Sequence, residues 1–165
     1  MPRSRRSLPR PGRVEARGGR VLYSSGTPWE PKVGYSRAVR VGPRVYVSGT
    51  TATAPDGSIV GRGDAYVQAG RALDNIETAL RALGSRRESV VRLRVFVTDI
   101  ADFDPVSRAV SERFLAIRPA CTLVEVSRLV DPALRVEIEA DADDSLEPPE
   151  QRRPSTVLPR RGSRR

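Results

Sequence analysis

Hydrophobic and polar residues alternate along two neighbouring segments in the first third of the chain. Residues 37–41 and 44–48 each place an apolar side chain at every second position, which is the period of a strand with one buried face. Gly42 and Pro43 separate the two segments, and this pair is typical of a tight turn. The pattern predicts a β-hairpin.

The spacing of apolar residues then changes to three and four, which predicts a helix. Asp56-Gly57 indicates a turn before it, Asp64 is suited to cap it, and Gly84 is suited to end it after Leu83. The predicted buried stripe consists of small and aliphatic residues. They are Ala69, Ala72, Leu73, Ile76, Leu80 and Leu83.

Three more strands and a second helix complete the predicted domain. We expect strands at residues 90–100, 122–126 and 134–140, and a helix at 105–117. The order β-β-α-β-α-β-β predicts an α/β protein, specifically an α+β two-layer sandwich with a mixed sheet and two helices on one face. Two helices on one face leave the other face of the sheet open, so they cannot shield all of the valines at positions 39, 41, 45, 47, 95 and 97. We therefore expect the open face to pack against partner chains in a closed homo-oligomer.

The net charge of +9 belongs to the two ends of the chain. Residues 1–20 hold seven Arg and one Glu, and residues 146–165 hold six Arg and two Glu, which leaves residues 21–145 with a net of −1. Both ends are rich in Pro, Gly, Ser and Arg. We therefore predict disordered tails at 1–26 and 146–165 around a domain at 27–145. Nucleic acid is expected to bind weakly and non-specifically through the tails, if at all.

Two residue types limit the available chemistry. The chain has no His, and Cys121 is its one Cys, which excludes Ser-His-Asp and Cys-His pairs, Cys clusters for zinc and an intrachain disulfide. No apolar run approaches the length of a membrane span, and the N-terminus lacks the apolar segment of a secretory signal. We expect a cytoplasmic protein without a membrane partner.

Three segments together resemble the Rid family, also called YjgF. They are "VGYSRAVRVGPRVYVSGTTA", "VVRLRVFVTDIADFDPVSRA" and "RPACTLVEVSRLVDPALRVEIEADA", and the resemblance covers about residues 27–143. It implies a chorismate-mutase-like fold and a homotrimer with a small-molecule cleft at each subunit interface. It also implies hydrolysis of 2-imino or 2-enamino acids to 2-keto acids and ammonia, with no cofactor and no metal.

The resemblance also assigns roles to individual residues. Tyr35 matches the tyrosine of the family's cleft, and Ser48 and Gly49 match a Ser-Gly pair whose backbone groups face the ligand. Glu137 matches the carboxylate that positions the attacking water, and is the expected catalytic residue. Thr122 is expected to offer its hydroxyl and its N–H to the ligand.

Two positions depart from the pattern of the active deaminases. Ser107 replaces an asparagine, and Cys121 replaces the arginine that binds the substrate carboxylate through two parallel hydrogen bonds. Cysteine has neither the charge nor the planar fork for that contact. We interpret Cys121 as a small hydrophobic residue lining the cleft rather than a nucleophile.

Other interpretations remain open at this point. Tyr35 is also compatible with a half-buried interface residue, and Glu137 with a partner of Arg128 or Arg135 in a strand ladder. The predicted function is a Rid-like protein that binds a small metabolite and hydrolyses an imine, an enamine or a related C=N compound. The alternatives are a non-catalytic ligand-binding or interaction protein of the same fold, and a nucleic-acid binder that acts through its tails.

Overall fold

The computed structural model describes residues 12–145, which form a seven-stranded mixed sheet with two long helices packed on one face. The strands are β1 (Arg13–Arg17), β2 (Arg20–Ser24), β3 (Ala38–Val41), β4 (Arg44–Thr50), β5 (Val90–Val97), β6 (Ala120–Glu125) and β7 (Val136–Asp143). The helices are α1 (Trp29–Val33), α2 (Ala65–Ala82) and α3 (Phe103–Phe114). The strand order is β1-β2-β3-β4-β7-β5-β6, and β5 and β6 are the parallel pair.

The predicted fold class is confirmed, and its main elements follow from local sequence. Asp64 caps α2 by accepting a hydrogen bond from the N–H of Val67 at 3.0 Å. Gly84 follows the helix with a φ of 72°, a conformation that favours glycine and ends helices. Gly42 has a φ of 56° in the turn between β3 and β4, so the predicted hairpin closes where the Gly-Pro pair indicates.

The predicted N-terminal tail at 1–26 is wrong for its second half. Residues 13–24 form the β1–β2 hairpin, and β2 pairs with β3. Gly18 and Gly19 have positive φ values and form the turn of this hairpin. Tyr23 is buried against the core. This burial offsets the conformational entropy that is lost when an Arg-rich segment becomes ordered. The rest of the predicted tails, residues 1–11 and 146–165, lies outside the described residues.

The expectation of an open valine-rich face is wrong for four of its six valines. Val45, Val47, Val95 and Val97 are each at most 3% exposed, because they point toward the helices and form the core with them. Val39 and Val41 lie on the opposite face of the sheet, and Val41 is 45% exposed near the turn. Two helices therefore cover more of the sheet than their number suggested.

The sheet face away from the helices carries charged residues. On β5, Arg94 forms ion pairs with Glu139 at 3.1 Å and with Asp141 at 3.2 Å, both on β7. Along β7, buried apolar residues alternate with half-buried acidic ones, so the acidic residues all lie on this outer face. We call it the outer face. Within residues 12–145, no helix is long and apolar enough to cross a membrane.

Candidate functional site

An irregularity in β4 brings Gly49 against Glu137. Val47 pairs with Ala140 and Thr50 pairs with Ile138, so β4 uses one more residue than β7 over this stretch. A Cβ placed on Gly49 would overlap Oε1 of Glu137 and would lie 3.0 Å from its Cδ. The Glu137 carboxyl group therefore occupies space that the glycine leaves empty.

Arg37 joins the residues of this site. One guanidinium nitrogen, Nη2, donates to the Tyr35 hydroxyl at 2.7 Å. The other, Nη1, donates to the carbonyl oxygen of Gly49 and to Oγ1 of Thr50, the latter at 3.2 Å. The Arg37 side chain is 12% exposed. We call Tyr35, Arg37, Gly49 and Glu137 the polar half-site.

Glu30 anchors Arg37 from the short helix α1. The Glu30 side chain is 3% exposed, and its Oε1 lies 3.7 Å from Nε of Arg37. The same oxygen accepts hydrogen bonds from the N–H of Ser25 at 3.0 Å and from its hydroxyl at 2.6 Å. Gly26 N–H donates to Oε2 at 3.3 Å. A buried carboxylate needs such partners, and these hold the guanidinium from behind.

Burial changes the acidity of Glu137. Desolvation raises the pKa of this carboxyl group above its ordinary value, and the negative charge of Glu139 raises it further. The positive charge of Arg37 acts in the opposite direction. A carboxylate with a raised pKa is a stronger base than one in water, which suits a residue that accepts a proton from water.

Cys121 and Ser107 lie on the other side of the sheet. Cys121 pairs with Leu93 in the β5–β6 ladder, so its side chain points toward α3, where Ser107 is located. Both line a cavity of about 420 Å³ between α3 and β6, with walls that include Phe114 and Leu123. We call this cavity the apolar half-site.

The Cys121 thiol is not activated for nucleophilic chemistry in this setting. Cys121 is exposed at the edge strand, but its apolar neighbours desolvate the thiol and raise its pKa. A higher pKa means less thiolate at neutral pH, and the thiolate is the reactive form. The geometry agrees with a residue that lines the cavity.

The positions of Ser48 and Thr122 differ from those expected for residues that contact the ligand. The Ser48 N–H, which was expected to face the ligand, donates to the carbonyl oxygen of Arg37 at 3.0 Å, and the Ser48 carbonyl oxygen accepts from Oγ1 of Thr50 at 2.6 Å. The Ser48 hydroxyl donates to the carbonyl oxygen of Ser36 at 2.9 Å. Thr122 pairs with Arg94 and therefore shares the outer face with Glu137, but β5 separates their two strands. Adjacent strands lie about 4.8 Å apart, so these two side chains are not in contact.

The structure thus brings together Tyr35, Gly49 and Glu137 and separates them from Ser107 and Cys121. Arg135 is not the partner of Glu137, because it binds Asp102 through two hydrogen bonds of 2.8 Å. Among residues 12–145, no group of three or more His, Cys, Asp or Glu side chains is placed to hold a metal ion.

Sequence reasoning missed Arg37 and Glu30. Arg37 stands two positions after Tyr35, and residues two apart on an extended chain point to the same side. That spacing could have indicated Arg37. Glu30 gives no such indication, because its neighbours along the chain do not reveal that it is buried.

Comparisons with known proteins give the family. The family model described as endoribonuclease L-PSP matches residues 25–143. The Streptomyces coelicolor protein SCO2049 is 41% identical over 118 residues, which cover 72% of this chain and 87% of that protein. A RutC family protein of Pyrococcus abyssi is 34% identical over 122 residues, covering 74% of this chain and 94% of the relative.

Solved structures agree with the sequence matches. Rv2704 from Mycobacterium tuberculosis, a member of the YjgF/YER057c/UK114 family, superposes with a TM-score of 0.69 at 45% identity, covering 75% of this chain and 98% of that one. E. coli TdcF, solved with bound serine, superposes with a TM-score of 0.61 at 29% identity, covering 66% and 87%. The chain therefore belongs to the endoribonuclease L-PSP family, also known as the YjgF or Rid family.

Proposed function

We propose that this protein binds a small metabolite in a cleft between two subunits of a homotrimer and hydrolyses an imine, an enamine or a related C=N bond there. The observation that carries the proposal is the division of the candidate residues into two half-sites. Tyr35 and Glu137 belong to the polar half-site, and Cys121 to the apolar half-site on the opposite side of the sheet. One small ligand cannot touch both sides of one sheet, so a cleft between two copies uses both.

The polar half-site has the groups that such a hydrolysis needs. Glu137 accepts a proton from a water molecule while the water oxygen bonds to the carbon of the C=N group, and the nitrogen takes up a proton. The carbinolamine nitrogen then takes up the proton held by Glu137 and leaves as ammonia, while the hydroxyl group loses its proton and its C–O bond becomes a carbonyl. Water is consumed, a ketone or keto acid and ammonia are formed, and no electrons leave the substrate. The raised pKa of Glu137 favours the first proton transfer.

Relatives support a small polar ligand. TdcF was solved with serine bound, and we extend binding of a small metabolite to this chain on the basis of the shared family. The protein is expected to act in the cytoplasm and without a cofactor. The ligand itself should differ from those of the arginine-containing members, because Cys121 cannot form a charged fork with a carboxylate.

Cys121→Arg tests whether the missing guanidinium limits hydrolysis. Wild-type protein should release ammonia from 2-iminopropanoate barely above background, and Cys121→Arg should increase kcat/KM by about tenfold or more, since a charge-assisted contact is worth a few kcal/mol. The 420 Å³ cavity offers space for the longer side chain. Cys121→Met is the matched control, because it adds length without charge.

Light scattering of the same samples must show that the variants keep the assembly of the wild type. An intact Cys121→Arg protein with no gain over Cys121→Met would show that the cleft is built for a ligand without a carboxylate. A wild-type rate equal to that of arginine-containing members would contradict the proposed role of position 121.

A non-catalytic ligand-binding protein of the same fold is the second candidate. It is favoured by the mostly apolar lining of the cavity beside Cys121, in which Arg118 is the one charged residue among residues 12–145. Glu137→Gln separates the candidates, because it removes the proton acceptor and nearly preserves the shape of the side chain. Hydrolysis of C=N substrates that is equal in wild type and Glu137→Gln would favour binding without catalysis.

A further inference from the structure

We propose that Arg37 is a positioning residue of the polar half-site: held by buried Glu30, its guanidinium orients the Tyr35 hydroxyl as a hydrogen-bond donor toward the ligand and places a positive charge beside Glu137. This inference rests on the proposed function and names the substrate feature that the site selects. Arg37 belongs to the network because its guanidinium contacts Glu30, Tyr35 and Gly49 at once.

The direction of the Tyr35 hydrogen bond follows from the chemistry of arginine. A guanidinium group has N–H donors and no acceptor, so the Tyr35 oxygen must accept the 2.7 Å hydrogen bond from Nη2. The hydroxyl proton is then left to point elsewhere. Within residues 12–145, Arg37 is the one side chain that hydrogen-bonds to this hydroxyl. Tyr35 is half-buried, so its proton can reach a ligand at the surface of the site.

This orientation selects a class of ligand. The group that meets Tyr35 has to accept a hydrogen bond, as an imine nitrogen or a carbonyl oxygen does. An ammonium group has no lone pair, so it cannot accept a hydrogen bond from the Tyr35 hydroxyl. The hydroxyl would then be left without an acceptor, which is costly in a partly buried site. The site therefore prefers ligands with a C=N or C=O group over protonated amines.

The charge of Arg37 has a second consequence at Glu137. The charged and titratable groups near Glu137 are Arg37 from the segment before β3, Tyr35 beside it, Glu139 on β7 and Arg94 on β5. Arg94 is engaged by Glu139 and Asp141. Arg37 is thus the cation that opposes the desolvation of Glu137, and it keeps more of that residue in the carboxylate form.

Two substitutions of Arg37 separate the two roles in the full-length chain. Arg37→Met removes both the fork and the charge, whereas Arg37→Lys keeps a charge but cannot span Tyr35 and Gly49 with a planar fork. Arg40→Met is the matched control. Arg40 lies on β3, is 24% exposed and binds Asp144 at 2.6 Å and the Leu83 carbonyl oxygen at 3.0 Å, away from the polar half-site.

The first measurement is an NMR titration of the Glu137 carboxyl carbon, assigned by its loss in Glu137→Gln. Arg37→Met should raise the titration midpoint by roughly one pH unit, as expected on removal of a nearby opposite charge. Arg37→Lys and Arg40→Met should keep a midpoint close to that of the wild type. If Arg37→Met does not fold, Arg37→Gln carries the same test.

The second measurement is a double-mutant cycle of Tyr35→Phe and Arg37→Lys on chemical unfolding. Each single variant should unfold at a lower denaturant concentration than the wild type, because it loses the hydrogen bond between Arg37 and the Tyr35 hydroxyl. The double variant should lose little more, because both remove the same hydrogen bond. Tyr35→Phe combined with Arg40→Met should instead be additive.

An unchanged Glu137 midpoint in Arg37→Met, or additive effects of Tyr35→Phe and Arg37→Lys on unfolding, would overturn the inference. Both measurements work without turnover. A wild-type protein that hydrolyses no imine but shows the shift and the coupling would contradict the proposed hydrolysis and support the role of Arg37.

Discussion

Glu137 shows how position in a fold changes the behaviour of an ordinary side chain. The surrounding protein withdraws its carboxyl group from water, and the absence of a side chain at Gly49 provides the space for it. Desolvation makes the charged form less favourable in the folded state than in the unfolded chain. The site therefore holds a carboxylate at a cost in stability, as functional sites often do.

The raised pKa of Glu137 predicts a particular pH dependence of stability. Between the ordinary pKa and the raised one, the folded protein binds more protons than the unfolded chain, so its stability falls as pH rises through that window. Glu137→Gln has no carboxyl group at this position, so its stability lacks this contribution to the pH dependence. The free energy of unfolding of Glu137→Gln minus that of the wild type should therefore increase from acid toward neutral pH, measured by urea unfolding at several pH values.

Asp144→Asn is a control for which the expected pH dependence of stability has the opposite sign. Burial disfavours the charge of Asp144, but hydrogen bonds from Ser89, Ser85 and Arg40 outweigh it and lower the pKa. Its contribution to stability is present above the ordinary pKa and is lost as pH falls. Asp144→Asn should therefore cost more stability at neutral pH than in acid. A Glu137→Gln difference that does not change with pH would contradict the assigned shift.

At the scale of elements, the irregular part of β4 is the feature that builds the polar half-site. The extra residue between Val47 and Thr50 directs Gly49 toward Glu137 and leaves the Gly49 carbonyl oxygen for Arg37. A regular ladder would have paired that stretch with β7 residue by residue. Such irregularities recur beside functional sites because they redirect individual groups.

Gly49→Ala tests this element. The added Cβ overlaps the Glu137 carboxyl group, so either that side chain or the strand must shift, and we expect a loss of roughly 1–3 kcal/mol in unfolding free energy. The proposed hydrolysis of C=N substrates should be slower in the same variant. Gly70→Ala is the matched control, because a Cβ there meets nothing nearer than Arg113 at 3.8 Å.

Gly70 lies inside α2, where alanine is favoured over glycine by roughly 0.5–1 kcal/mol. Gly70→Ala should therefore be neutral or stabilising by thermal and urea unfolding. Equal effects of the two substitutions would mean that close approach of Glu137 is not what requires a glycine at position 49.

At the scale of the whole molecule, the proposed cleft needs a second copy of the chain to bring the two half-sites together. They lie on opposite sides of one sheet, so the proposed cleft exists in an assembly and not in a single chain. Light scattering of the full-length protein at micromolar concentration should give about three times the monomer mass of 18.1 kDa. A stable monomer that still hydrolyses C=N substrates would contradict the shared cleft.

The distribution of charge makes a further prediction at this scale. Residues 1–11 hold four Arg and no acidic residue, and residues 146–165 hold six Arg and two Glu, which leaves residues 12–145 with +1 of the total +9. Any affinity of the full chain for DNA or RNA should be non-specific and fall steeply with salt. It should vanish for residues 12–145 alone in a fluorescence anisotropy titration. Salt-resistant, sequence-specific binding by that shorter chain would contradict this.

The sequence by itself determined the fold class and the main elements. Local patterns suffice for this, since a cap such as Asp64, a terminating glycine such as Gly84 and the two hydrophobic periods act over a few residues. The same reasoning failed for residues 13–24, because arginine-rich composition indicated disorder. Pairing with β3, a contact between distant segments, orders the hairpin instead.

Tertiary structure alone decided which candidate residues meet. Register places Cys121 toward the helices and Thr122 on the outer face, although the two are neighbours in sequence, because successive strand residues point to opposite sides. Buried Glu30 anchors Arg37, and the irregular part of β4 places Gly49 beside Glu137. These are long-range contacts set by how the strands pack and pair, so no local pattern of residues contains them.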